Sequence, residues 1–189
     1  YLLDLQQSIN PIIHGTIMKK NKKVNADPRR LGREFAMQFL FQLDQNEETA
    51  SDSLNYFWTQ LEDSKIYPIN SRFRNAKIFA EKLIRQTISS KERIDNSISS
   101  FANNWTIGRM GCVDRNVMRI AVCEMFFFND IPPIVSINEA VETAKSFGSE
   151  SSGAFVNGIL NSVKDSLDRP AREAAPDDEN INSFPQEKI

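Results

Sequence analysis

The chain has little of what the common catalytic chemistries require. Its 189 residues include one histidine, His14, and two cysteines, Cys112 and Cys123. That set cannot complete a usual four-ligand zinc site, and no Cys–His pair is available for nucleophilic catalysis. No Gly-x-Ser-x-Gly turn occurs, and no Gly-x-Gly-x-x-Gly follows a strand pattern. No apolar run is long enough to span a bilayer, and the start lacks the order of a signal peptide. Few cysteines and no secretory signal imply a reduced, cytoplasmic location. The expectation is a protein that is not an enzyme and that needs no cofactor or metal. Its function should lie in its surfaces.

What is present is apolar content and an uneven distribution of charge. Hydrophobic residues make up 40% of the chain, enough for a core. From Met18 to Arg33 four lysines and three arginines face Asp27 alone, a net of +6, although the whole chain carries −2. From Asp168 to Ile189 six acids face three cations, a net of −3. A basic head of this kind suits nucleic acid, or simply keeps a tail solvated.

The apolar spacing is helical throughout. Arg29–Leu43 places Phe35, Phe39 and Leu43 four apart. Ser51–Leu61 carries Leu54, Phe57, Trp58 and Leu61. Ser71–Ser89 carries Phe73, Ala76, Ala80, Leu83 and Ile84, and Lys91–Phe101 carries Ile94 and Ile98. Asp114–Phe128 carries Val117, Met118, Ala121 and Met125. Two further helices follow, giving about seven. Short polar loops, few glycines and no two-residue alternation predict an all-α fold in two small helical subdomains. Residues 1–28 read as a leader and basic head, largely disordered, with Met18 as the expected natural start. Residues 29–167 form the helical domain, and 168–189 a disordered acidic tail.

The last two helices are the best punctuated. Pro132 and Pro133 interrupt the chain before Ser136, which stands three residues ahead of Glu139 as in a capping box. Ile137, Ala140, Ala144 and Phe147 share a face, and Gly148 is expected in a left-handed terminating conformation. The next helix should start within Ser151–Gly153 and bury Phe155, Val156, Ile159 and Val163. The loop Gly148–Gly153 lacks the lysine of a P-loop. It suits a helix N-terminus whose free amides meet a phosphate, with Lys145 facing it.

Arg29, Arg30 and Arg33 stand at the start of an amphipathic helix, where guanidinium groups can fork onto phosphates. In Phe126–Phe128 the rings extend a core face, but Phe127 is expected to point outward toward a partner. Trp105 should plug the gap between two helices. Cys123 should be core, and Glu139 and Glu142 should be solvated.

Several ordered segments carry a resemblance. They are Arg29-Arg30-x-x-Arg33-Glu-x-Ala-x-Gln38-x-Leu-Phe41, Trp105, and Asp114-Arg115-x-x-Met-Arg119-Ile-Ala-x-x-Glu124. Then come Ile131-Pro-x-x-Val-x-Ile-Asn138-Glu139-Ala-Val-Glu-x-Ala-Lys145-x-Phe147-Gly148 and Phe155-Val-Asn157-Gly158-Ile-Leu160. Together they resemble the NusB family of bacterial transcription antitermination factors. The resemblance implies a helical protein that binds the single-stranded boxA element of nascent RNA as a heterodimer with NusE, a small-subunit ribosomal protein. That complex would join the RNA polymerase antitermination assembly on ribosomal RNA operons. The family's arginine-rich segment maps onto Arg29, Arg30 and Arg33. Leu31 and Gly32 thin it, and Phe41 stands where a tyrosine is frequent, removing a hydroxyl and keeping a ring. The expected RNA-contacting set is Arg29, Arg30, Arg33, Gln38, Phe41, Lys145, Ser151 and Phe155. The expected partner-contacting set is Asp114, Arg115 and Phe127. Two alternatives stand beside this reading: the RNA-binding N-terminal domain of a ribosomal RNA cytosine methyltransferase, truncated, and a helical adaptor that binds protein only.

Overall fold

The computed structural model describes residues 27–45, 50–102 and 105–174. The lysines at 19–23, the proposed start at Met18 and the acidic residues beyond 174 lie outside these. The described residues form α1 (Pro28–Gln45), α2 (Ala50–Asp63), α3 (Ser71–Ser89) and α4 (Lys91–Phe101). After the 3-10 turn Ile107–Arg109 come α5 (Cys112–Phe127), α6 (Pro133–Phe147) and α7 (Ser152–Asp165). The seven helices match the expected all-α fold, and α3 and α4 keep the bounds read from spacing.

Local chemistry sets the helix starts. Asp27 accepts the amide of Arg29 at 2.7 Å through its side chain, and Pro28 occupies the first helical position of α1. Asn70 caps α3 by accepting from the Phe73 amide at 3.0 Å. For α6 the expectation fails. The helix begins at Pro133 with Pro132 as its cap, so Ser136 is one turn inside and forms no capping box. Gly148 is also not left-handed: its φ of −95° and ψ of −164° are extended. Space is what requires glycine there, because a Cβ would lie 2.5 Å from Ser152 Oγ and 2.8 Å from the Ala144 carbonyl oxygen.

Helix α5 is the hub. Every residue from Asn116 to Met125 is buried, and α1, α3, α4, α6 and α7 all pack on it. Helices α1–α3 pack mainly through α1 against α3, α6 and α7 pair with each other, and α5 joins the two groups into one contiguous core. Cys123 belongs to that core, and burial pushes its thiol pKa up to about 12. Gly32 lets α1 approach α3 closely: a Cβ would stand 2.8 Å from the Ala76 carbonyl oxygen and 2.8 Å from the Phe79 ring.

The acidic tail does not leave the body at Asp168. The Arg169 guanidinium donates to the carbonyls of Met125, Asn129 and Ile131 at 2.9, 3.2 and 3.0 Å. Ile134 N–H donates to the Ala171 carbonyl at 3.0 Å. Arg169 thereby satisfies carbonyls at and beyond the end of α5, where a cation also complements the helix dipole.

Candidate RNA interface

The arginine segment opens α1, where the helix dipole disfavours positive charge. Acids from other elements offset that cost. Arg29 Nη2 donates to Asp130 Oδ2 at 2.7 Å, with both side chains about half exposed. Arg30 Nε lies 3.6 Å from Glu139 Oε2. Arg33 differs. Its Nε donates to Glu124 Oε1 at 2.7 Å in a pair whose side chains are 8% and 1% exposed. Ser136 Oγ donates to the other oxygen, Glu124 Oε2, at 2.6 Å. Burial pushes the Glu124 carboxyl up, while the charge and hydrogen bonds of Arg33 and Ser136 pull it back. Ser136, expected as a cap, instead ties α6 to α5, and Arg33 ties α1 to both. The pair borders a cavity of about 10 Å³, room for one water at most and not for a base.

Glu139 is not the solvated acid that its position suggested. Its Oε2 is shielded, has no hydrogen-bond partner among the described residues, and lies 3.6 Å from Arg30 and 4.0 Å from Arg33. The aromatic floor beneath the arginines is Phe79 of α3, with the Arg29 and Arg33 guanidinium carbons 5.6 and 5.5 Å from its ring centre. Asp130, Glu139 and Phe79 were not readable as site residues, because each reaches the arginines from a different element.

Gln38 and Phe41 follow along α1 but do not join this surface equally. Gln38 is only 2% exposed, within the core. Phe41 is half-buried and packs on that core.

A second group gathers where α6 meets α7. Lys145 is exposed, pairs with Glu142 at 3.0 Å, and lays its stem over Gly153, where a Cβ would meet Lys145 Cγ at 2.8 Å. Ser151 is exposed beside Ser149, and Ser152 Oγ accepts the Ser149 amide at 2.8 Å. Trp105 is no plug between helices. It is 52% exposed, and its ring meets half-buried Phe155 edge-on with centroids 6.1 Å apart.

The expected partner residues are dispersed in role. Arg115 donates to Asp44 Oδ2 at 2.8 Å and to the Ile107 and Met110 carbonyls, which commits it to the fold. Phe127 does not project outward; it is half-buried, with the Arg93 guanidinium 5.4 Å above its ring. Asp114 keeps a shielded Oδ1 with no hydrogen-bond partner among the described residues. Among the described residues no cluster of His, Cys, Asp and Glu could hold a metal ion, and no helix is long and apolar enough to cross a membrane.

Comparison with known proteins identifies the fold and the family. The model of the NusB family aligns with residues 30–165. The transcription antitermination protein NusB of Myxococcus xanthus is 42% identical over 142 residues, covering 75% of this chain and 98% of that protein. That of Geobacter sulfurreducens is 39% identical, covering 74% and 95%. Among solved structures, T. maritima NusB superposes with a TM-score of 0.64 at 35% identity, over 77% of this chain and 94% of that one. A structure of antitermination factors NusB and NusE in complex with dsRNA gives 0.62 at 26% identity, over 74% and 98%. The match runs from the arginine segment of α1 to the end of α7, and this chain belongs to the NusB family.

Proposed function

We propose that this protein is a cytoplasmic, non-catalytic transcription antitermination factor. It binds boxA-type single-stranded RNA together with the ribosomal protein NusE, and the complex promotes transcription of ribosomal RNA operons by joining the polymerase. Its Myxococcus and Geobacter relatives are covered over 98% and 95% of their length and are named as antitermination proteins, which supports this reading.

The observation that carries this reading is the state of Arg29 and Arg30. They sit where a helix gains nothing from cations, and their acid partners are partly exposed or at long range. A phosphate can therefore replace Asp130 at Arg29 at little cost. Arg33 acts by positioning: anchored to Glu124, it holds the start of α1 over Phe79. Gln38 supports the same helix from inside the core, and Phe41 supports it from the core's edge. Lys145, Ser151 and Phe155, with Trp105 beside them, form a second contact area, one cation and two rings at a helix start. Asp114 is the partner-facing residue; Arg115 and Phe127 shape its surroundings.

Titration of labelled boxA-type RNA, with and without NusE, tests this. Arg29→Ala/Arg30→Ala is expected to weaken binding and to reduce the salt dependence by about 0.7 in log–log slope for each phosphate that is no longer neutralised. The fold should remain intact, since the exposed Arg29 pair contributes about 1 kcal/mol or less and Glu139 keeps Arg33 at 4.0 Å. An unchanged salt slope would remove the head from the RNA path.

A further inference from the structure

The outer face of α3 carries a charge pattern that the interface above does not use. The helix holds Arg72, Arg74, Lys77, Lys82 and Arg85 against Glu81, a net of +4 in a chain of net −2. Arg74, Ile78, Lys82 and Arg85 are exposed and recur at three- and four-residue spacing, so they line one side of the helix over roughly 16 Å. No ion pair among the described residues engages Arg74, Lys82, Arg85 or Arg93.

This face is continuous with the arginine head. Arg29 lies over Phe79, Phe79 meets Phe128 with centroids 6.1 Å apart, and Lys82 Nζ lies 4.9 Å from the Phe128 ring centre. At the far end, Arg93 at the start of α4 sits over Phe126 and Phe127 at 5.0 and 5.4 Å. The three consecutive phenylalanines that close α5 thus form a base on which cations from α3 and α4 rest. A guanidinium stacked on a ring keeps its N–H edge free for phosphate. Lys82, Arg85 and Arg93 lack an ion-pair partner among the described residues, and Lys82 and Arg93 rest on rings, which fold stability alone explains poorly.

We propose that this row, Arg29–Lys82–Arg85–Arg93, is a second RNA track that holds the phosphates of single-stranded RNA flanking the segment bound at the head. It rests on the reading of Arg29 and Arg30 as the RNA entry. Continuity with those arginines favours RNA over an acidic protein partner. The track reads charge and strand continuity, not sequence.

Fluorescence anisotropy on the full chain tests it with two RNAs: a boxA-type oligonucleotide of about 12 nucleotides, and the same RNA lengthened by about ten uridines at each end. The native protein is expected to bind the longer RNA roughly tenfold more tightly at low salt, with a steeper salt slope. Lys82→Glu/Arg85→Glu/Arg93→Glu should abolish that gain, lower the slope for the long RNA by about 2, and leave the short RNA within about twofold. Lys82→Arg/Arg85→Lys/Arg93→Lys should keep the gain, which separates charge from damage to the fold. No gain on lengthening, a gain that survives the glutamate variant, or equal weakening toward both RNAs overturns the track. Failure of the head shows differently, as unchanged short-RNA binding by Arg29→Ala/Arg30→Ala.

Discussion

Three arginines within five residues of one helix have different physical roles. Arg29 and Arg30 keep contact with solvent, while Arg33 is enclosed with Glu124. A buried pair is costly to break, because removing one partner leaves the other charged and unpaired in a poor solvent for charge. Arg33→Ala is therefore expected to destabilise the protein by about 3–5 kcal/mol, against about 1 kcal/mol or less for Arg29→Ala. Urea denaturation of the two variants checks this, and equal midpoints would show that Glu124 finds another partner. An RNA-binding loss in Arg33→Ala then has to be read against its stability. The charge pattern of the sequence put all three arginines in one class, and only the neighbouring helices separate them.

Between elements, the polar contact with the most members joins α1 to α5 and α4. Asp44 at the end of α1 accepts from Arg115, Asn116 and Arg119, and Arg119 also pairs with Asp95 of α4 at 2.7 Å. Burial alone would raise the Asp44 pKa. The hydrogen bonds of Arg115 and Asn116 and the charges of Arg119 and Arg115 outweigh it and hold the carboxyl below its ordinary 3.8. A depressed carboxylate contributes stability that is present above its unfolded-state value and is lost as pH falls through the folded one. Asp44→Asn is accordingly expected to lower Tm at neutral pH, with the gap to the native protein closing as pH drops below about 4. A gap that stays constant down to about pH 2 would mean that Asp44 contributes geometry and no charge. Two residues of this cluster, Arg115 and Arg119, were visible in the sequence within a family-like motif, but their acceptor, Asp44, lies about 70 positions earlier and no spacing rule reaches it.

For the whole molecule, α5 decides the architecture, and the chain beyond α7 returns to it. Arg169 satisfies three carbonyls around the end of α5, and Ala171 accepts from the start of α6. Ending the chain after Leu167 frees those groups to water. It also loosens the loop that carries Asp130, the partner of Arg29. Such a truncation is expected to lower Tm by about 2–4 °C for each kcal/mol of stability removed in a chain of this size. Ending the chain after Glu173, by contrast, should leave Tm unchanged. Equal melting of both forms would show that Arg169 contributes nothing to the fold. The acidic composition after Asp168 concealed this, because composition averages over a window while one arginine in reach of three carbonyls acts singly.

Some properties of this protein follow from the sequence alone: the all-α class, the seven helices, and the near-coincident ends of α3 and α4. Helical periodicity and end signals are local, so a window of a few turns contains them. The family, too, was legible from ordered motifs. The tertiary structure decided which members of the arginine segment face solvent, that Ser136 bonds Glu124 rather than capping α6, and that Trp105 lies open beside Phe155. The apolar phase of a helix says which face is buried, but a charged residue at the edge of that face is buried or exposed according to what a third helix lays over it. Arg33 is an RNA candidate in the chain and an anchor in the fold because Glu124, 91 residues away, arrives beside it.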